Sequence, residues 1–265
     1  MRVTFHGVRG SVSVSGAAFS NYGGHTICTE VMTDAAQIII DAGGGFQNVA
    51  LADDRPIVIL LSHFHHDHIQ GFGFNRDLFS SQSEIFICSA LCSQETTRDH
   101  IQQYYGGTYF PIELLSKISK LKVMSFSEVQ SIFASDLNLG TCALHHPGGS
   151  AAYSIETTNA KLCCLLDNEY EAGQLDSLRE LVDDADLAIW DGMYTAGELP
   201  QFQGWGHSSM EQGQAFLEMS NCRRLAVAHH APHRTDAQLD KIQQGFANPA
   251  IFIAKENQTE ILTGV

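Results

Sequence analysis

Short apolar runs, separated by polar and turn-forming residues, recur along the whole chain and predict a protein rich in β-strands. Many of them are dominated by Val, Ile, Leu and Phe, which are typical of strands buried in a sheet. The runs that we predict as strands are 2–5, 27–32, 37–41, 57–62, 84–88, 122–126, 141–145, 152–156, 161–166, 187–190, 225–228 and 251–254.

Helical patterns lie between some of these strands. Residues 175–182 carry apolar side chains at helical spacing, and residues 208–211 form a capping-box signature ahead of an apolar-periodic run to Met219. Thr235 opens a further short helix in the same way. Strands in pairs, followed by strands that alternate with helices, predict a layered α/β protein with one mixed sheet or two sheets.

No low-complexity linker divides the 265 residues, so we predict one domain that spans 1–265. The segment 94–118 has no regular pattern and is rich in aromatic residues, among them Tyr104, Tyr105 and Tyr109. We interpret this segment as an irregular insertion that covers a pocket or as a packed surface loop, and the sequence leaves both alternatives open.

The composition restricts the functional classes. The formal net charge of -15 disfavours a general nucleic-acid binder, because a negative protein repels a polyanion. The seven Cys, without a C-x-x-C pair, fit buried reduced thiols of a cytoplasmic protein better than a disulfide framework. We find no apolar run of the roughly 18 residues that a membrane span requires, so we expect no membrane association.

The most informative motif is an H-x-H-x-D-H run that begins one residue, Ser62, after the apolar residues 57–61. It contains His63, His65, Asp67 and His68. Neutral imidazoles and carboxylates are the ligands that Zn²⁺ and similar divalent ions prefer. His63 and His65 are two residues apart, so an extended backbone points both to the same side. Asp67 and His68 are adjacent and diverge, so they can serve a second ion.

Other predicted strands also end in His or Asp. His145-His146, Asp167, His229-His230 and Asp41 each follow an apolar run. Because functional sites of open α/β sheets form at the carboxyl ends of strands, we expect these side chains to share one site. The candidate metal ligands are His63, His65, Asp67, His68, His146, Asp167 and His229.

These candidates are too many for one tetrahedral ion and suit two divalent ions bridged by a carboxylate. Ions about 3.5–4 Å apart can share a hydroxide that attacks a substrate. We expect Zn²⁺, with Mn²⁺ or Fe²⁺ as alternatives.

The motif set resembles the metallo-β-lactamase superfamily, and within it the phosphodiesterase branch of ribonuclease Z and the cyclic-phosphate phosphodiesterases. The likeness covers nearly the whole chain. Besides the H-x-H-x-D-H run it rests on Arg9-Gly10-Ser11, on residues 22–26, on residues 40–43 and on His146 ahead of the strand at 152–155. The chain differs where Ala152 and Ser154 replace the usual Gly and Arg.

The resemblance implies an αββα sandwich, in which two mixed β-sheets are flanked by helices and the metals lie at one edge. It also implies ligand roles. One ion would be held by His63, His65 and His146, and the other by Asp67, His68 and His229, with Asp167 as the bridge. Two positions stay open, because His145 competes with His146 and His230 competes with His229; the spacing and the strand alignment favour His146 and His229.

The resemblance further implies a proton relay. His207 would protonate the departing alkoxide and Asp191 would orient it, although the family has Glu where this chain has Asp191. An imidazole can act in this way near neutral pH. The alternative is that His207 caps the following helix. Asp41 is expected to accept a ring N–H of a ligand His, and Asp67 is expected to be needed for catalysis as well as for metal binding.

We therefore predict a dinuclear metal-dependent hydrolase, most simply a phosphodiesterase for a small or cyclic phosphodiester. A carbon-ester hydrolase of lactonase or thioesterase type is the alternative, and a non-enzymatic metal-binding sensor is a third hypothesis. The expected partners are small-molecule substrates. The sequence leaves a homodimer open, since dimers are common in the family that the chain resembles.

Overall fold

The computed structural model describes residues 1–264. Its first sheet contains seven strands in the spatial order β13-β1-β2-β3-β4-β5-β6. The strands β13, β1, β2 and β3 pair antiparallel, and β3 to β6 pair parallel. The strands are β1 (Arg2–Gly7), β2 (Cys28–Met32), β3 (Gln37–Ile40), β4 (Ile57–Leu61), β5 (Ile85–Ser89), β6 (Leu121–Val123) and β13 (Thr259–Ile261).

The second sheet contains six strands in the order β12-β11-β10-β9-β8-β7. The strands β12 to β9 pair parallel, and β9, β8 and β7 pair antiparallel. Both sheets are therefore mixed. These strands are β7 (Asn138–Leu144), β8 (Ser150–Glu156), β9 (Lys161–Leu165), β10 (Leu187–Asp191), β11 (Leu225–Ala228) and β12 (Ile251–Ile253).

Six of the α-helices cover the outer faces of the sheets, whereas one packs into the apolar cluster between the sheets. The helices are α1 (His66–Ile69), α2 (Asp77–Ser80), α3 (Gln94–Tyr104), α4 (Phe126–Phe133), α5 (Leu175–Val182), α6 (Met210–Met219) and α7 (Asp236–Gly245). The exception is α4, whose buried residues Phe126, Val129 and Phe133 belong to the cluster between the sheets. A Ser or Thr side chain caps several of the helices; Ser209 Oγ, for example, accepts the backbone N–H of Gln212 at the start of α6. None of the helices within residues 1–264 is long and apolar enough to cross a membrane.

Three apolar clusters hold the layers together. Side chains of both sheets, such as Val58 and Ile189, form the central cluster between them. A second cluster packs the other face of the second sheet against α5, α6 and α7, and a third packs the other face of the first sheet against α1, α2 and α3. These layers confirm the αββα sandwich and its two mixed sheets.

Every predicted strand is present, but three expectations were wrong. The strand β13 was missed, because its exposed residues follow no apolar pattern. Residues 125–126 do not extend β6, because Ser125 caps α4. The segment 94–118 is not irregular, since its first part forms the helix α3; only Thr97 and Ile101 of that helix are buried, which left little apolar periodicity to read.

Candidate metal centre

The carboxyl end of β4 delivers the H-x-H-x-D-H run to the edge of the sandwich. His63 and His65 follow the strand, with His65 in extended conformation, and the short helix α1 then turns Asp67 and His68 inward. His63, Asp67 and His68 are buried. A strand followed by one helical turn thus places four donor side chains at one point.

His63, His65 and His146 form the first cluster, with their ring nitrogens within 4.8 Å of one another. His65 Nδ1 lies 3.0 Å from His146 Nε2. His146 Nδ1 donates to the carbonyl oxygen of Gly206 at 2.8 Å, so its Nε2 is free to face the cluster. Burial lowers the pKa of both His63 and His146, which keeps these imidazoles neutral, as a metal ligand must be.

Asp67, His68 and His229 form the second cluster. His68 Nε2 lies 3.5 Å from Asp67 Oδ2 and 3.4 Å from His229 Nε2. His229 Nε2 lies 3.4 Å from Asp67 Oδ2. Asp67 Oδ2 also accepts the backbone N–H of Ser11 at 2.6 Å, which fixes the carboxylate in this position.

The Asp167 carboxylate lies between the two clusters. Its Oδ2 is 2.9 Å from His68 Nε2 and 3.2 Å from His229 Nε2, whereas its Oδ1 is 3.6 Å from His146 Nε2. Burial raises the pKa of this carboxyl, but the His229 and His68 imidazoles outweigh that effect and lower it well below its usual value. Asp167 is therefore ionised and touches both donor groups.

Three residues of this region lie at strand ends and have the left-handed backbone conformation. Asp41 after β3 has a φ of 59°, Asp167 after β9 has 57°, and His229 after β11 has 58°. Residues other than glycine adopt this conformation at a cost of about 1 kcal/mol or more, and they concentrate at functional sites. The repeated turn lets strands of both sheets direct polar side chains toward the same edge of the sandwich.

Ser62 and Asp41 form hydrogen bonds with imidazoles of the two clusters. His68 Nδ1 donates to Asp41 Oδ2 at 2.8 Å, as expected from the sequence. Ser62 Oγ donates to the same oxygen at 2.8 Å and lies 3.0 Å from His63 Nδ1. Because the Ser62 hydroxyl donates its proton to Asp41, its oxygen accepts the His63 Nδ1 proton. His63 Nε2 is then unprotonated, and its lone pair is free to bind a metal ion.

His207 lies beside the clusters. Its Nδ1 donates to Asp191 Oδ2 at 2.8 Å and lies 3.8 Å from Asp167 Oδ1. Burial lowers the pKa of His207, but the Asp191 and Asp167 carboxylates more than offset this and raise it to about 9. His207 is not a helix cap, since Ser209 caps α6. The shorter reach of Asp191 still allows the contact that the sequence predicts.

The donor set fits divalent ions. The buried atoms His63 Nε2 and Asp167 Oδ2 have no hydrogen-bond partner, although such atoms are rare in folded proteins. Both point toward a group of imidazoles and carboxylates whose ligand atoms lie within 4.8 Å of one another. Neutral imidazole and carboxylate together suit Zn²⁺, Mn²⁺ and Fe²⁺.

The family model described as "beta-lactamase superfamily domain" matches residues 36–230, which include every candidate ligand. The chain belongs to the β-lactamase superfamily. As a member that carries this His and Asp donor set, it is a metal-dependent hydrolase. No curated protein matches the chain.

Solved structures support the same fold. The short form of human tRNase Z is 16% identical and has a TM-score of 0.67, with 99% of each chain covered. The metallo-β-lactamase fold protein YhfI from Bacillus subtilis is 17% identical, with a TM-score of 0.73 over 98% of this chain and 99% of that one. A diphosphatase of the PhnP family is 14% identical, with a TM-score of 0.69 over 100% and 99%.

The histidines next to the candidate ligands in sequence have other environments. His145 is half exposed, and its Nδ1 lies 3.6 Å from Glu171 Oε2. His230 is buried but faces away from the clusters, since its Nε2 donates to the Ala254 carbonyl at 2.9 Å. The exposed His66 contacts the Tyr104 hydroxyl. Of each His pair, the structure thus brings His146 and His229 to the clusters.

Several supporting groups were not visible in the sequence. The Gly206 carbonyl and the Ser11 N–H are backbone atoms, so residue identity gives no signal for them. Ser62 is the exception, since a hydroxyl side chain directly before the H-x-H-x-D-H run is a signal in the sequence. Gly10 is needed because a Cβ at this position would lie 2.4 Å from the His229 ring.

Proposed function

We propose that the protein is a phosphodiesterase that hydrolyses a small or cyclic phosphodiester with two divalent metal ions. His63, His65 and His146 would hold one ion, Asp67, His68 and His229 would hold the other, and Asp167 would bridge them. We propose Zn²⁺ as the ion. When bound, the two ions would acidify a water molecule and offset the charge of the phosphate.

The observation that carries the proposal is the buried His207–Asp191 pair beside Asp167. An alkoxide that leaves a phosphodiester needs a proton, and an imidazole on a neighbouring carboxylate can donate it. The raised pKa of His207, about 9, keeps the ring protonated at neutral pH. The hydrogen bond from Nδ1 to Asp191 Oδ2 orients the ring. His207 is therefore the proposed general acid, with Asp191 as its positioning residue.

Two structural neighbours fit this reaction class. One is a tRNase Z and the other is a diphosphatase of the PhnP family. The net charge of -15 opposes a long RNA substrate, because a polyanion would be repelled over most of the surface. A small phosphodiester, which needs only the local charge of the metal centre, is the substrate that we propose.

The test is hydrolysis of bis(p-nitrophenyl) phosphate by protein loaded with Zn²⁺, Mn²⁺ or Fe²⁺. We expect turnover with at least one ion. On a diester with an alkyl leaving group, whose alkoxide needs a proton, His207→Ala should lose activity roughly 10²–10⁴-fold, which is the usual contribution of a general acid. The loss on bis(p-nitrophenyl) phosphate should be smaller, because p-nitrophenolate leaves without a proton. The metal content of the variant should be unchanged. His145→Ala is the control, because His145 is half exposed and contacts Glu171.

A lactone and thioester panel distinguishes the carbon-ester alternative. Activity on these esters without turnover of any phosphodiester would replace the proposal by that alternative. Two bound ions per chain without hydrolysis of either class would instead indicate a non-enzymatic metal-binding protein.

A further inference from the structure

An aromatic groove of about 650 Å³ lies next to the metal centre. Its walls include Phe64, Phe74, Tyr104, Tyr105, Tyr109 and Phe110. Most of these side chains come from α3 and the segment that follows it. A cavity of this volume is in the range of small-molecule binding sites, which are lined mainly by apolar and aromatic side chains.

The groove and the metal centre share one chain segment. His65 and Asp67 face the ligand clusters, whereas His66, which lies between them in sequence, lines the groove. Consecutive Cα atoms are about 3.8 Å apart, so the groove begins one residue from the proposed ligands. The contact of the Tyr104 hydroxyl with His66 Nδ1 joins α3 to this segment. A molecule bound at the clusters can therefore extend into the groove.

The rings of the groove are already arranged for stacking. Tyr105 and Phe110 have centroids 4.9 Å apart at an interplanar angle of 80°, and Phe74 packs edge-on against Phe110 at 5.8 Å. Phe74 and Tyr109 nevertheless expose 63% and 78% of their surface. Large exposed aromatic side chains beside a groove are typical of binding surfaces, and their free faces can stack on a planar group.

The groove carries no formal charge of its own. Its lining within residues 1–264 contains no Lys, Arg, Asp or Glu. A phosphate or carboxylate would therefore find no counter-charge there, while the proposed metal centre next to it offers one. His100 and Gln103 at the same groove can form hydrogen bonds with an uncharged polar edge. The lining thus favours an uncharged, planar aromatic group.

We propose that this groove binds an uncharged aromatic group of the substrate, such as a nucleobase or an aryl ring, while the phosphoryl group lies at the metal centre. The inference rests on the proposed phosphodiesterase function and names its substrate class: a phosphodiester with an aromatic group on the side that does not leave. Phe74 and Tyr109 are the proposed specificity residues.

Three diesters with the same leaving group test this. They are the methyl, phenyl and thymidine-5′ esters of p-nitrophenyl phosphate. Each releases p-nitrophenolate, so differences in KM measure how the protein binds the ester group that is not released. We expect kcat/KM of the phenyl or the thymidine ester to exceed that of the methyl ester about tenfold, mostly through KM. The better of the two substrates distinguishes an aryl group from a nucleobase.

Phe74→Ala and Tyr109→Ala should reduce this preference at least threefold and leave the methyl ester unchanged. Both side chains are largely exposed, so the fold should tolerate the change. Phe79→Ala is the matched control, since Phe79 is an aromatic residue with 45% exposure that does not line the groove. It should leave all three substrates unchanged.

The outcomes separate the two proposals. Turnover of the methyl ester with no aromatic preference in the wild type, or an equal loss on all three substrates in both groove variants, would refute the groove. No turnover of any diester would refute the phosphodiesterase. Saturation-transfer NMR with phenol and with thymidine then tests the groove without catalysis: signal lost in Phe74→Ala and Tyr109→Ala supports it, and no signal in the wild type refutes it.

Discussion

His207 Nδ1 donates a 2.8 Å hydrogen bond to Asp191 Oδ2, and both side chains are buried beside the Asp167 carboxylate. The carboxylate raises the pKa of the imidazole, and the bond leaves Nε2 as the atom that can face a substrate. Two backbone N–H groups, those of Met193 and Asn168, donate to Asp191 in turn. Both carboxylate oxygens of Asp191 therefore accept a backbone hydrogen bond, which fixes the carboxylate that orients His207.

Asp191→Asn should shift the alkaline limb of the pH profile. His207 with a pKa of about 9 keeps its proton below that pH and loses it as the pH rises. Without the negative charge of Asp191 the pKa of His207 falls, so the decline of kcat should begin at a lower pH. The measurement is kcat from pH 6 to about 10 on a phosphodiester with an alkyl leaving group, which needs a proton to depart. An unchanged alkaline limb, with unchanged metal content, would mean that His207 is not the proton donor.

Asp67→Ala should remove one ion and most of the activity while the fold survives. Asp67 contributes the only carboxylate of the group it forms with His68 and His229, and the rest of the sandwich does not depend on it. We expect the metal content to fall from about two ions to about one per chain, and kcat to fall at least 10²-fold. Metal analysis and circular dichroism measure the two effects.

The neighbouring His66→Ala is the control for metal content, because His66 is exposed and contacts Tyr104. It should keep both ions. If Asp67→Ala also kept both ions and the full rate, the proposed assignment of ligands would be wrong.

Gly10→Ala should disturb the proposed metal centre by displacing the His229 ring. A Cβ at residue 10 would lie 2.4 Å from His229 Cε1 and 2.5 Å from its Nδ1, so the ring has to move. We expect the affinity for one ion to fall about tenfold or more, measured by competition with a chromogenic chelator. Gly173→Ala is the matched control, since no heavy atom lies within 4 Å of its added Cβ. Equal affinities of the two variants would contradict this prediction.

The sequence predicted the strands and their polar ends because both signals are local. Apolar runs mark β4, β9 and β11, and members of the clusters follow at once or after one residue: His63 after β4, Asp167 after β9 and His229 after β11. Parallel pairing then brings these ends to one edge. Strand alignment favoured His229 over His230 already in the sequence; in the structure both are buried, and they differ in the direction of the side chain.

The features that the sequence could not predict depend on contacts between segments that are far apart along the chain. The helix α3 has too few buried positions to give a periodic signal, so the aromatic groove was read only as an insertion that covers a pocket or as a surface loop. The partner of His146 is a carbonyl oxygen of residue 206, and carbonyl oxygens are the same in every residue. Such support is set by loop conformation, which short-range patterns do not encode.

Glu169 is a supporting residue of this kind. Its carboxylate accepts the backbone N–H of Gly204 at 2.8 Å and that of Gly206 at 2.9 Å. The carbonyl of the same Gly206 accepts the His146 Nδ1 proton at 2.8 Å. Glu169 thus fixes the loop 204–206, and the Gly206 carbonyl of that loop positions the proposed ligand His146. Glu169 itself touches no proposed ligand.

Glu169→Ala should therefore weaken the site of His63, His65 and His146 and spare the other one. Loss of a group that orients a metal-binding His typically costs 10–100-fold in metal affinity. In a chelator titration we expect one ion to leave at about 10–100-fold lower chelator activity than in the wild type, with the second ion unchanged. Hydrogen exchange of residues 204 and 206 should accelerate in the same variant, since their N–H groups lose the carboxylate.

Glu180→Ala, an exposed substitution on α5, should leave both readouts unchanged. If Glu169→Ala accelerates exchange but releases both ions as the wild type does, the loop is not what positions His146.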